Sequence, residues 1–435
     1  MDKNNALESL PINILVISNK LNLKLMIKVF YLFVVLFLVY SCETETPVKE
    51  FSMKDDVYFL ADDSQEGRET GSETEKKSAN YLAERFKNMG LAPKGSDGYL
   101  QPFTFKAKTN PHAEVTYNTN KEDGTITGLN VIAYINNNAE NIVIIGAHYD
   151  HLGFGSEGSL YRGEGIEIHN GADDNASGVA VMMNLAKRLK GKNINNNYLF
   201  ISFSGEELGL LGSNYFVKNP TIDTKKVNYM INMDMVGRLK EDKSLAIYGV
   251  GTSPKFSQTL FANNSDFKLI EKKSGIGPSD HTSFYLADIP VLHFFTGQHE
   301  DYHKPTDDAE KLNYEGMNAI SNYIFDIITD LDNEGRLAFR KTKNESEEAP
   351  DFKVTLGVIP DYLYDDKGMR IDGISEERPA QRAGMIKGDV VIKVGEYEVT
   401  DMMSYMKSLS KFEKGQKTVV IVERNGAPLE LEVTW

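Results

Sequence analysis

From residue 129 onward, short unbroken hydrophobic runs alternate with stretches of helical spacing. Unbroken apolar runs are typical of strands buried on both faces of a sheet, and the stretches between them are typical of covering helices. The predicted strands are residues 141–147, 198–203, 229–233 and 290–295, and the predicted helices are 72–90, 178–189 and 314–331. This pattern predicts an α/β domain with a mostly parallel central sheet flanked by helices.

Residues 351–435 follow a different pattern, in which strand-like runs dominate. The predicted strands are residues 351–358, 368–374, 389–399 and a hairpin around Asn425–Gly426, and the predicted helices are 379–383 and 402–409. Residues 341–350 are charged and end in proline, which favours a linker between the two patterns. A small α+β domain is therefore expected over residues 351–435.

The longest apolar run of the N-terminal region covers residues 29–40. At twelve residues it is too short to span a membrane, which takes about 20, and its length suits the central region of a signal peptide. The end of the run and the two residues after it, Val39-Tyr40-Ser41-Cys42, resemble a loose bacterial lipobox, with Cys42 as the acylated residue. We predict a signal peptide over residues 1–41, with translation starting at Met26, and a tether over residues 42–51. These features predict a bacterial cell-envelope protein held at the membrane by its lipid anchor only.

Composition narrows the function. The chain has 435 residues, 41% hydrophobic and 26% charged, with one cysteine, which excludes collagen-like, disordered and disulfide-built proteins. Its formal charge of −15 repels phosphate backbones, so we expect no nucleic-acid partner. Metal cations and cationic ligands suit this charge better.

Acidic and histidine residues follow the predicted strands or lie in loops, and several recur about every 30 residues. Because the carboxyl ends of parallel strands meet at one edge of a sheet, these side chains are expected to converge. The five segments are residues 148–151, 173–175, 206–207, 234 and 302–305.

These segments offer nitrogen and oxygen ligands without sulfur, which suits zinc or a similar divalent ion. Five ligands exceed one open tetrahedral site and suit two ions that share a carboxylate. Two such ions activate a water molecule, and a further carboxylate must accept its proton. The adjacent Glu206 and Glu207 supply one ligand and one base.

Residues 52–335 resemble the di-zinc aminopeptidases of the aminopeptidase S and Y type, relatives of glutamate carboxypeptidase II. The matching strings are Gly146-Ala147-His148-Tyr149-Asp150-His151, Gly171-Ala172-Asp173-Asp174-Asn175-Ala176-Ser177-Gly178, Ser204-Gly205-Glu206-Glu207-Leu208-Gly209, Asn232-Met233-Asp234-Met235, Ser279-Asp280-His281 and Tyr302-His303. On this basis the peptidase domain is assigned to residues 52–340.

The resemblance implies the roles of individual residues. One zinc ion is expected on His148 and Asp234 and the other on Glu207 and His303, with Asp174 bridging the two ions.

The resemblance also implies residues that act around the metal ions. Glu206 is expected to be the general base, and Asp150 is expected to orient the imidazole of His148. The peptide bond between Asp174 and Asn175 is expected to be cis.

The C-terminal domain resembles a PDZ domain of the bacterial type, through residues 355–358 and 378–389. In such domains the loop, here Leu356, Gly357 and Val358, offers backbone N–H groups to a peptide's C-terminal carboxylate. Protein C-termini are therefore possible partners, although a domain that only packs on its neighbour has the same pattern.

The resulting hypothesis is a zinc aminopeptidase that holds two Zn²⁺ ions and cleaves peptide substrates with a bridging, metal-activated water molecule. The alternatives are another exopeptidase, a glutaminyl cyclase-like activity on the same fold, and a peptide-binding lipoprotein that acts through its PDZ domain.

Overall fold

The computed structural model describes residues 28, 52–106, 117, 124–155, 158–343, 352–364, 366–375 and 377–435. The predicted signal peptide apart from Lys28, the lipidation site Cys42, the tether and residues 344–350 of the predicted linker lie outside these ranges. In the described part of the chain, no helix combines the length and the apolar character that crossing a membrane requires.

Within the described residues, the first domain is built on a sheet of nine strands. These are β1 (Ala92–Pro93), β2 (Leu100–Lys106), β3 (Thr125–Ile135), β4 (Asn141–His148), β5 (Asn196–Phe203), β6 (Val227–Met233), β7 (Ser244–Tyr248), β8 (Lys268–Glu271) and β9 (Val291–Phe295). The spatial order is β1-β3-β5-β4-β6-β9-β7-β8, with β2 also paired to β3.

The four central strands, β5, β4, β6 and β9, run parallel to one another. They are almost entirely buried, which explains their unbroken apolar runs. The strands β3 and β7 join this group antiparallel at its two sides. The sheet is therefore mixed, with a parallel centre whose carboxyl ends share one edge.

Seven helices belong to this domain in the described ranges. They are α1 (Met53–Leu60), α2 (Glu73–Asn88), α3 (Gly178–Leu189), α4 (Leu211–Lys218), α5 (Phe256–Asn263), α6 (His281–Tyr285) and α7 (Tyr314–Leu331). The sequence-predicted bounds of α3 and α7 are confirmed, and α2 lies within the predicted stretch, with Ser72 as its N-cap.

Helices cover both faces of the sheet. On β4, Val143 and Ile145 face a core shared with α1, α2, α3, α5 and α7, whereas Ile142 and Ile144 face a second core shared with α4 and α6. Successive strand residues point to opposite faces, so one apolar strand supplies both cores. The predicted α/β class is confirmed by this arrangement of helix, sheet and helix layers.

The second domain has its own antiparallel sheet and core. Its strands are β10 (Val358–Pro360), β11 (Met369–Ile374), β12 (Val390–Val394), β13 (Tyr397–Glu398), β14 (Lys417–Arg424) and β15 (Ala427–Thr434), and its helices are α8 (Pro379–Arg382) and α9 (Met402–Leu409). Both domains belong to one compact unit, Phe51–Trp435.

Two strand predictions in this domain were wrong in extent. The strand expected over residues 351–358 begins only at Val358, because Gly357 adopts a left-handed conformation with φ of 73°. The strand expected over residues 389–399 divides into β12 and β13, which pair across a turn at Gly395, where φ is 59°.

Candidate metal centre

The parallel centre of the sheet carries the predicted ligands to one edge. His148 is the last residue of β4, Glu207 lies four residues after β5, and Asp234 directly follows β6. Asp174 lies in the turn before α3, and His303 lies in the loop after β9. The fold therefore brings together residues from widely separated parts of the chain.

Asp174 lies between two histidines that each face a further carboxylate. Its Oδ1 atom is 3.3 Å from Nε2 of His148, and its Oδ2 atom is 3.2 Å from Nε2 of His303. Nε2 of His148 is also 3.3 Å from Oδ1 of Asp234, and Nε2 of His303 is 3.3 Å from Oε2 of Glu207. The five side chains thus form two sets of candidate ligands that share one carboxylate. The peptide bond between Asp174 and Asn175 is cis, as the resemblance implied.

These distances and contacts fit metal binding. Two atoms that each lie ~2.0 Å from a tetrahedral zinc ion are ~3.3 Å apart, which matches the separations around both histidines. Nε2 of His148 is buried and makes no hydrogen bond to any described residue, although two carboxylate oxygens face it. A buried histidine nitrogen that faces carboxylate oxygens without a hydrogen bond is the arrangement that a bound divalent cation completes.

The electrostatics of the centre lead to the same conclusion. Burial lowers the pKa of His303, but Glu207 and Asp174 outweigh this effect and raise it to about 11. Burial and Asp174 raise the pKa of Glu207, but His303 and His151 outweigh them and lower it to about 2. The carboxylates therefore hold positive charge at the histidines, and a metal cation would replace those protons.

Glu206 lies beside the ligands. Possible ligand atoms of Glu206, His148 and Asp234 all lie within 4.8 Å of one another. Its backbone N–H donates to Oδ1 of Asp150 at 3.2 Å, and burial raises the pKa of its carboxyl well above the usual range. The side chain therefore stands within reach of a group held by His148 and Asp234.

Asp150 contacts His148 mainly through its backbone. Nδ1 of His148 lies 3.2 Å from the carbonyl oxygen of Asp150 and 3.7 Å from its carboxylate. The carboxylate instead accepts hydrogen bonds from Thr70 and from the backbone of Glu206. Asp150 thus links the ligand His148 to the residue predicted as the base.

Two positioning residues were missed by sequence reasoning. Nδ1 of His151 lies 2.7 Å from Oε1 of Glu207, which fixes that carboxylate while its other oxygen faces His303. The carboxylate of Asp307 accepts hydrogen bonds from the backbone N–H groups of Asp173 and Asp174. His151 stands in a quoted motif, so its position three residues after His148 was a usable signal. Asp307 gave no comparable signal.

The predicted peptide-binding loop of the second domain lies at an open strand. Gly357 is tightly enclosed, because a Cβ atom there would lie 2.2 Å from Cβ of Arg378. The carbonyl oxygen of Leu356 accepts a hydrogen bond from Ala380, and Val358 begins β10. Among the described strands β10 pairs only with β11, so its other edge is available to an added strand.

Comparisons with known proteins match two separate parts of the chain. Residues 130–328 match the family model of Peptidase family M28. This match covers less than half of the 435-residue chain, and we call the domain that contains it the M28 domain. Residues 338–434 match the PDZ domain, so the M28 domain is followed by a PDZ domain.

Two curated relatives match the M28 domain. The chain is 33% identical over 172 residues to a probable leucine aminopeptidase from Trichophyton verrucosum, which covers 37% of this chain and 44% of that protein. It is 31% identical over 196 residues to aminopeptidase YwaD from Bacillus subtilis, which covers 42% of this chain and 40% of that protein. The chain therefore spans less than half the length of these relatives.

A solved structure supports the fold. The chain resembles BSAP, a zinc aminopeptidase from Bacillus subtilis, with a TM-score of 0.51 and 20% identity over 69% of this chain and 98% of that one. At this identity the similarity shows the fold alone, and the M28 domain therefore has the zinc exopeptidase fold.

Proposed function

We propose that this protein is a zinc-dependent aminopeptidase, which hydrolyses the N-terminal peptide bond of peptide substrates. The observation that carries the proposal is the shared position of Asp174, 3.3 Å from His148 and 3.2 Å from His303. Two metal ions that share a carboxylate act together on one water molecule and one carbonyl group. The match to Peptidase family M28 supports the same assignment.

Zinc is proposed at two positions. His148 and Asp234 would hold one ion, Glu207 and His303 would hold the other, and Asp174 would contribute to both. When bound, such ions lower the pKa of water and polarise the carbonyl of the scissile bond.

The chain's own residues supply the proton transfers. In this proposal Glu206 acts first as general base, accepting a proton from the attacking water, and then as general acid, delivering that proton to the leaving amine. Asp150 holds the backbone of Glu206 and contacts His148, so it positions a base and a ligand together. The excess of carboxylates favours a substrate whose N-terminal amine is protonated.

The PDZ domain and the N-terminal segment suggest where the enzyme works. The free edge of β10 beside Leu356, Gly357 and Val358 suits a protein C-terminus bound as an added strand. The apolar run before Cys42 supports lipid attachment at that residue and a location in a bacterial cell envelope.

The test is hydrolysis of aminoacyl p-nitroanilides by residues 43–435, with N-acetylated versions of the same substrates as controls. Cleavage of free-amine substrates only, lost with a chelator and restored by zinc, is the expected result. Two zinc ions per chain should be counted in the active protein. Cleavage of the acetylated substrates, or activity that survives zinc removal, would contradict the proposal. One bound zinc ion with cyclisation of N-terminal glutamine would support the cyclase alternative.

A further inference from the structure

An apolar cluster beside the metal centre contains residues from both domains. We name it the mixed cluster: its buried members are Met235, Ala246, Ile270, Phe295 and Leu363, and the partly buried residues packed against it are Tyr248, Tyr302 and Tyr362. Leu363 and Tyr362 belong to the PDZ domain, and the other six belong to the M28 domain. The two domains therefore share a buried apolar cluster.

The mixed cluster adjoins the candidate metal centre, once through the chain and once through a ring contact. Met235 directly follows the ligand Asp234 in the chain. The ring of Tyr302 stacks on the ring of His303, with ring centroids 3.8 Å apart and an angle of 24° between the planes. The partly buried tyrosines of the cluster are therefore the groups that a substrate side chain meets first when it leaves the metal centre on this side.

The PDZ turn that enters the cluster is Asp361–Tyr364. Leu363 is only 3% exposed and lies on Gly297, where a Cβ atom would be 2.9 Å from Cδ1 of Leu363. The ring of Tyr362 meets Phe295 edge-on, with ring centroids 6.5 Å apart. This close approach is possible because residue 297 is a glycine. Its φ of 95° is also a conformation that glycine adopts more readily than other residues.

Hydrogen bonds and charges hold the turn in place. The carboxylate of Asp361 accepts a hydrogen bond from the backbone N–H of Leu363 at 3.0 Å and pairs with Arg370 at 2.5 Å. From the M28 domain, Nζ of Lys240 lies 2.9 Å from Asp372 and 3.9 Å from Asp361. An ion pair of Lys240 thus ties the turn to the peptidase.

We propose that this PDZ turn forms one wall of the pocket that receives the side chain of the substrate's N-terminal residue. This inference rests on the proposed aminopeptidase function. The side chain of the first residue projects close to the scissile carbonyl. The mixed cluster adjoins Asp234 through its chain neighbour Met235 and His303 through the ring of Tyr302. The enzyme therefore prefers peptides that begin with an apolar residue, and Leu363 limits the size of that residue.

Leu363→Ala in the otherwise complete chain tests the wall directly. Removal of the side chain enlarges the pocket, so kcat/KM for phenylalanine p-nitroanilide should rise relative to the leucine and alanine substrates, by on the order of tenfold. Leu409→Ala is the matched control, because Leu409 is 1% exposed in the separate core of the PDZ domain. That control should leave the ratio unchanged. If Leu363→Ala does not fold, Leu363→Val makes a smaller change in the same direction.

The outcomes separate this inference from the proposed function. If the wild type cleaves the panel and Leu363→Ala shows the same ratio of kcat/KM values between substrates, the PDZ turn is not a wall of the pocket. The proposed aminopeptidase function would be unaffected by that result. An equal shift in Leu409→Ala would overturn the wall too, because the effect would then come from loosening the PDZ domain. If the wild type cleaves nothing, the proposed function fails. In that case calorimetry measures the affinities of the zinc-loaded wild type and Leu363→Ala for L-leucine and L-phenylalanine. Absence of binding, or the same ratio of the two affinities in both proteins, would overturn the proposed pocket.

Discussion

Replacement of Arg68 by methionine should destabilise the fold and weaken metal binding together. The guanidinium is fully buried and donates hydrogen bonds to four backbone carbonyl oxygens. These acceptors are Leu60 at 2.5 Å, Tyr149 and Asn170 at 2.7 Å, and Gly171 at 3.0 Å. Arg68 thus ties the end of α1 to the segment that follows His148 and to the segment that precedes Asp174.

The magnitude follows from those contacts. Burial lowers the pKa of Arg68 to about 10, so the side chain stays charged at neutral pH. Methionine fills similar space but removes the arginine donor from the carbonyl oxygens of Leu60, Tyr149 and Asn170, each at a cost of ~1–3 kcal/mol before water enters. The carbonyl oxygen of Gly171 still accepts a hydrogen bond from the backbone N–H of Ala176. Loss of one partner from a buried charged network costs ~3–5 kcal/mol in comparable cases. We therefore expect a loss of about 4 kcal/mol in the free energy of unfolding, and zinc affinity reduced ~10–100-fold because the ligand segments are less well held.

A matched control separates these two effects. Arg85 makes a buried bidentate ion pair with Asp56, at 2.6 and 2.8 Å, between α2 and α1. Arg85→Met should cost a similar free energy of unfolding and leave zinc affinity unchanged. Urea unfolding in the presence of a chelator gives the stability, and competition with a chromogenic chelator gives the affinity. The prediction is refuted if the free energy of unfolding of Arg68→Met lies within about 1 kcal/mol of the wild-type value, or if both variants bind zinc equally well.

Three further predictions concern single residues. Glu206→Gln should retain zinc but lower kcat by ~10²–10⁴-fold, as measured by turnover together with metal content; unchanged turnover would remove Glu206 as the base. Asp174→Ala should lose most of the bound metal in equilibrium dialysis, and full retention would exclude a bridging role. Burial raises the pKa of Glu75 from 4.5 to about 7, so the native state retains a proton that the unfolded chain releases. Stability should therefore fall by about 3 kcal/mol between pH 4.5 and 7 and then level off, whereas Glu75→Gln should show no such slope.

The parts of the fold predicted from sequence are those with strong periodicity. The bounds of α3 and α7 were predicted because each helix buries a wide apolar face, and β4, β5 and β6 because they are buried on both sides. The short outer elements gave no comparable pattern. The strand β2, for example, contains Pro102 and pairs only with β3 among the described strands, a position where proline is tolerated and apolar continuity is not needed.

The ligands of the candidate centre were predictable for a related reason. A parallel sheet converts regular spacing along the chain into proximity at one edge, so His148, Glu207 and Asp234 could be grouped before any coordinates were known. The residues that hold these ligands follow no such rule. Asp307 accepts hydrogen bonds from the turn at Asp174, which lies 133 residues away along the chain, and no local pattern marks that contact.

The contact between the domains also joins distant parts of the chain, so local sequence patterns do not predict it. The sequence nevertheless contains one signal for this contact. The turn Asp361–Tyr364 has the sequence Asp-Tyr-Leu-Tyr, which is unusually apolar for a surface turn of a small domain. In an isolated PDZ domain, Leu363 would face water, because its apolar neighbours Phe295 and Met235 belong to the other domain. Its exposure of 3% is therefore produced by the peptidase. An apolar turn that lacks a core within its own domain thus predicts contact with a neighbouring domain, and here the contact lies beside the proposed metal ligands.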